Sequence, residues 1–133
     1  MKTPRLALLL TMTLPAAFSG FAQDPAPTNP PAASVARVDY ATRIKPIFEK
    51  YCYQCHGNGR NKAGVRLDVK ADAMKHIIAG DPVRSDVYHS ITRGMGTSDH
   101  MPPVSHDQPA AADIAAIKLW IEQGADWPDA PPK

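Results

Sequence analysis

A chain of 133 residues with 15 Lys and Arg, 13 Asp and Glu and a formal net charge of +2 is nearly neutral, which argues against a generic binder of polyanions, nucleic acid included. Fourteen prolines and 44% hydrophobic residues leave room for one small core, and a domain of that size buries only about 60% of its unfolded surface. With two cysteines in all, any covalent staple must involve both of them or something that they hold.

Residues 1–22 read as a secretory signal peptide. Lys2 and Arg5 precede a short apolar run from Leu6 to Phe18, and Gly20 and Ala22 are small residues near the cut. Pro15 interrupts the run, which is too short for a membrane anchor. Residues 23–37, QDPAPTNPPAASVAR, carry too few large apolar groups to offset the entropy of ordering, and predict a disordered Pro/Ala-rich tether. Residues 38–128 form the expected domain, and 129–133 a tail. The protein is therefore expected to be periplasmic or otherwise exported, without stable membrane insertion once the leader is removed.

Within the domain, Tyr40, Ile44, Ile47, Phe48 and Tyr51 share one helical face after Asp39, a suitable N-cap. Pro46 predicts either a kink at Lys45 or a main helix that starts with Pro46 in its first turn. Gly57–Gly64 is a basic turn-rich loop, and Val65, Leu67 and Val69 alternate as a short extended piece would. A helix is expected over 71–79, stopped by Gly80, and another from an N-cap at Ser85 to Arg93, stopped by Gly94. Gly94–Gln108 is irregular. Pro109 suits the first turn of a last helix whose buried stripe is Ile114, Ile117, Trp120 and Ile121. The fold class is small and mainly α, with at most one strand pair and with long loops, which in so small a domain usually wrap something.

What they wrap is indicated by YCYQCHG, residues 51–57. Cys-x-x-Cys-His is the attachment signature of a c-type haem. Cys52 and Cys55, one helical turn apart, can each form a thioether with a porphyrin vinyl group, and His56 can present a ring nitrogen to the iron from the same side. A Cys52–Cys55 disulfide would close a tiny loop and add little stability. A thioredoxin-type site needs an α/β setting, and a zinc site would have to recruit His100 and His106 from far along the chain.

For the opposite side of the iron, DHMPPVSH singles out Met101. Pro102 and Pro103 stiffen the backbone and remove two amides. Met95 and His100 stay open as alternatives, whereas Met74 reads as core packing. His76 and His89 read as surface or hydrogen-bonded residues. His100 and His106 read as partners in loop hydrogen bonds, and Arg60, Lys62 and Arg66 as a solvated basic loop, with docking or a haem propionate as the sharper reading.

The chain resembles the class I cytochromes c, and more closely the planctomycete-type cytochrome c domain, in IKPIFEKYCYQCHG (44–57), AGVRLD (63–68), AGDPVRSDVYHSI (79–91), MPP (101–103) and IKLWIEQGADWP (117–128). The resemblance implies one covalently bound haem c wrapped by helices. The first and last helices would cross, with Phe48 against Trp120. Leu67, Ile91, Pro102 and Trp120 would belong to the haem pocket, Cys52 and Cys55 would be the attachment sites, His56 the proximal and Met101 the distal ligand. The segment SHDQPAAAD departs from the family's usual cap of the last helix, so the start of that helix is left open.

Histidine–methionine ligation leaves no open coordination site and raises the potential relative to two histidines. The expected function is thus a one-electron carrier between a dehydrogenase-type donor and a downstream acceptor, with other redox proteins as partners. The alternatives are a haem enzyme or a gas or redox sensor with an open distal site, and a haem subunit of a larger complex. Residues 37–93 sum to +5 and 94–133 to −4, which predicts a dipolar molecule if the two stretches occupy different faces.

Overall fold

The computed structural model describes residues 36–129. The expected leader, most of the tether and the last four residues lie outside them. Ala36 and Arg37, the end of the expected tether, are already tied to the domain. Gln123 Nε2 donates to the Ala36 carbonyl, and Gln123 Oε1 accepts from the Val38 amide at 2.7 Å.

The described residues are helical and contain no strand. A π-helical turn, Tyr40–Ile44, opens the fold, and Asp39 caps it by accepting from the Thr42 amide and hydroxyl at 2.8 and 2.7 Å. Helix α1, Lys45–Tyr51, follows with Pro46 in its first turn. This is the second of the two outcomes expected there. Lys45 remains helical, and its amide reaches back five residues to the Tyr40 carbonyl, which makes the preceding turn wide. Helix α2, Tyr53–His56, continues the line after a break at Cys52. Helices α3, Lys70–Ala73, α4, Asp86–Thr92, and α5, Ala111–Glu122, complete the set, with a 3₁₀ turn at Lys62–Gly64.

Three expectations need correction. The helix over 71–79 shrinks to the single turn of α3. Beyond it the chain is held by distant partners. The Ile78 amide donates to Ser85 Oγ at 2.8 Å, and the Gly80 amide to the Ile121 carbonyl at 2.7 Å. These bonds outcompete the local helical pattern. Ser85, at the N-cap position of α4, does not cap with its side chain. Its hydroxyl is fully buried and serves Ile78 and the Asp81 carbonyl (2.7 Å) instead. The last helix begins at Ala111, two residues later than Pro109 predicts, because Ala110 is still extended.

The core is aromatic. Trp120 is 0% exposed; it meets Phe48 edge-on (6.2 Å between centroids, 86°), while Tyr40 stacks on Trp127 at 3.9 Å. The contact expected between Phe48 and Trp120 is therefore present. Trp120 Nε1 donates to the Asp126 carbonyl at 2.9 Å, so its polar atom is satisfied inside the core. Ile44, Ile47, Ile117 and Ile121 fill the space around the rings.

The charge dipole read from the sequence is folded onto itself in part. Arg43 pairs with Asp113 at 2.9 Å and Lys70 with Asp129 at 2.9 Å, and Arg37 lies 3.9 Å from Asp126. Cations of the basic stretch thus meet carboxylates of the acidic one, instead of facing away from them.

Candidate functional site

Against the aromatic core lies an apolar cavity of roughly 900 Å³, its open mouth included. One wall is the end of α1 and one face of α2, with Cys52, Cys55 and His56. The loop after them adds Lys62, Ala63, Val65 and Leu67. A second wall is one face of α4, with Val87 and Ile91 a helical turn apart. The third is the loop with Met101, Pro102 and Pro103. Four residues named from the sequence as attachment or ligand positions, Cys52, Cys55, His56 and Met101, therefore border one space.

The helical wall is ordered by its backbone. The amides of Cys55 and His56 both donate to the Cys52 carbonyl, at 3.1 and 2.9 Å, so the two sulfurs and the imidazole sit on successive steps of one turn. His56 Nδ1 lies 3.2 Å from the Val65 carbonyl. A proton on Nδ1 serves that carbonyl and leaves Nε2 as the free acceptor, the arrangement that orients metal-binding histidines. The Leu67 amide donates to the His56 carbonyl at 2.6 Å, so the piece expected to be extended is tied to the histidine turn and not to a sheet partner.

Both cysteines are unpaired. Burial pushes the Cys52 thiol up to about 12, so it is neutral at any physiological pH. A thioether carries no charge and suits such a place. Tyr53, between them in sequence, turns the other way. It is buried, and its hydroxyl lies 3.3 Å from that of Tyr40, behind the wall. Burial holds both phenols above their ordinary range.

Leu67, Ile91 and Pro102 line the cavity as expected, and Trp120 does not. Its ring belongs to the core behind the wall, where Phe48 and Tyr40 enclose it. Met95 is 61% exposed and outside the lining. His100 is 5% exposed, with Nδ1 2.8 Å from the Arg93 carbonyl and Nε2 2.8 Å from Gln108 Oε1, so neither ring nitrogen is free. Among the described residues no three His, Cys, Asp or Glu side chains gather as a zinc site requires. Arg60 donates to the Gln54 carbonyl and Arg66 to Asp68, whereas Lys62 borders the cavity.

Several wall residues escaped sequence reasoning. His76, 3.3 Å from Asp86, forms a polar pair at the wall, and Ser90 lies one turn beyond Asp86. The spacing of Asp86, Val87, Ser90 and Ile91 marks one helical face, but nothing local says that it is the face turned to the cavity. Ala63 adopts φ 55°, a left-handed conformation that costs an alanine about 1–2 kcal/mol. The turn-rich composition of GNGRNKAG was its only signal.

The walls fit a haem. They are apolar, with two unpaired thiols, an oriented imidazole and a thioether facing one volume. The comparison with protein families agrees: the planctomycete cytochrome C family matches residues 52–105. The match over residues 52–105 supports a planctomycete-type cytochrome c domain, for which haem c is the implied cofactor. No curated protein and no solved structure matches the chain. Among the described residues no helix is long and apolar enough to cross a membrane.

Proposed function

We propose that the protein is a monohaem c-type cytochrome that carries single electrons outside the cytoplasm, from a dehydrogenase-type donor to a downstream redox protein. The observation that carries this reading is the meeting of Cys52, Cys55, His56 and Met101 on one apolar cavity. A haem bound there supplies a one-electron iron couple. The chain's part is attachment, orientation and exclusion of water. Cys52 and Cys55 form the thioethers. His56 Nε2 would hold the iron, with its tautomer selected by the Val65 carbonyl. The Met101 thioether would be the second ligand, because Met95 lies outside the cavity and the His100 ring faces other partners. Val87, Ile91, Leu67 and Pro102 keep the volume dry. Residues 1–22, read as an export signal, place attachment outside the cytoplasm.

The test is spectroscopic and chemical. The denatured chain should retain haem through acidified organic extraction, with a mass increased by one haem. The oxidised protein should show the weak far-red band of sulfur-to-iron charge transfer, and the reduced protein should resist carbon monoxide at neutral pH. Met101→Ala should abolish the band, admit carbon monoxide and lower the potential while the domain still folds. A haem-free chain with a Cys52–Cys55 disulfide would overturn the reading. Prompt carbon monoxide binding by the wild type, without the band, would replace carrier by open-site enzyme or sensor.

A further inference from the structure

We infer that Gln108 is the positioning residue of the distal loop: its amide laces the chain on both sides of Met101 and so determines how firmly the thioether is held. The inference rests on the reading of Met101 as distal ligand.

The loop from Gly94 to Gln108 contains no helix, and most of its backbone bonds are local. One backbone bond ties Met101 to α4, from its amide to the Ser90 carbonyl at 3.0 Å. Pro102 and Pro103 have no amide hydrogen, so the main chain there can be held only through its carbonyls. Both carbonyls accept from Gln108 Nε2 at 3.1 Å, and the His106 carbonyl accepts from it at 2.9 Å.

On its other side Gln108 Oε1 lies 2.8 Å from His100 Nε2, and His100 Nδ1 lies 2.8 Å from the Arg93 carbonyl; both partners are acceptors, so a neutral ring donates to one of them and an imidazolium to both. One side chain therefore closes a circuit from the end of α4 through His100 to the two prolines, with Met101 inside it. The circuit also sets the amide's orientation: a flipped Gln108 would aim its oxygen at three carbonyls. Gln108 is not part of the cavity wall. It acts on the ligand through the loop and touches no reacting atom.

The experiment compares holoprotein variants. Gln108→Ala should weaken the far-red band, admit carbon monoxide to the reduced iron and speed exchange of the Met101 amide about tenfold, the factor that one lost hydrogen bond gives. Gln108→Glu conserves size and the acceptor for His100 but turns an oxygen toward the carbonyls. It should behave like Gln108→Ala, whereas a space-filling role would leave it like wild type. Gln123→Ala removes a glutamine of similar connectivity far along the chain and should leave band and exchange unchanged.

If Gln108→Ala fails to fold, Gln108→Asn keeps the amide but is too short to span both partners, and takes its place. A wild-type band that persists unaltered in both Gln108 variants, with unaltered exchange, overturns the inference. A wild type without the band defeats the assignment of Met101 as ligand. Exchange of the Met101 amide then decides the lacing by itself: faster exchange in Gln108→Ala upholds it, and equal exchange overturns it.

Discussion

The two walls that face each other across the cavity are held by different physics. The one with Cys52, Cys55 and His56 is helical backbone pressed on buried rings: Phe48 and Trp120 are 0% exposed, with Tyr40 and Trp127 stacked beside them. The one with Met101 has no helix and is buried only in part, at His100 and Pro102, while Val104 is 62% exposed; side-chain hydrogen bonds to carbonyls add to its few backbone bonds. Burial is cooperative and fails together with the fold. A laced loop can open locally, at a free energy well below that of global unfolding. The division suits a site in which one ligand must never leave and the other is the one to be adjusted.

Mutations can break this comparison or sharpen it. The largest effect is expected from Trp120→Ala, which removes the centre of the aromatic cluster and orphans the Asp126 carbonyl; the cost should be about 3–5 kcal/mol, read from thermal or denaturant unfolding. Loss of the far-red band should coincide with unfolding; a band lost well before it would show that the core also supports the distal wall. Gly57→Ala comes next. A Cβ there would lie 2.7 Å from Cγ of Tyr53, directly after His56, and overpacking of this kind costs about 1–3 kcal/mol. It should lower the unfolding midpoint and disturb the His56 side of the spectrum while Met101 remains bound.

Acid provides a smaller perturbation of the helical side, through Asp68. Asp68 accepts from Arg66 and from the Asn58 amide, and these bonds, that from Arg66 first, hold its carboxyl below 3.8. A carboxylate lowered on folding contributes stability that is complete above its unfolded value and disappears as the pH falls through the folded one. The link between loop 57–64 and the segment that follows should therefore weaken only below about pH 3.8. Exchange of the Asn58 amide should accelerate there in wild type and be insensitive to pH-dependent loosening in Asp68→Asn. The smallest effect is expected from Val104→Ser: an exposed apolar residue on the laced wall should change stability by no more than about 0.5 kcal/mol. A larger loss would mean that burial matters on that side too.

Features that depend on neighbours in sequence were legible in it. The Cys-x-x-Cys-His turn, the Asp39 cap, Pro46 in the first turn of α1 and the buried positions of α5 follow from rules that act over one or two helical turns. Features decided by distant partners were not. The segment after α3 has helical composition, but Ser85 and Ile121 claim its amides. Trp120 was expected in the pocket from family resemblance, yet it packs one layer behind. The opposite charges of the two stretches cancel in part because Arg43 and Lys70 meet Asp113 and Asp129, a pairing invisible until the ends of the domain are brought together. Gln108 looked like an ordinary loop residue, because its importance lies in four partners and not in its type.

The junction at Gln123 has a consequence for how such a module can be used. Its side chain bonds both Ala36 and Val38, and Arg37 approaches Asp126, so the first described residues and the end of the domain meet at one spot. Adjacent termini are what insertion and circular permutation require. The haem unit can therefore be spliced as a cassette into a surface loop of another protein, or rejoined through its own ends and reopened elsewhere, without stretching either wall of the cavity.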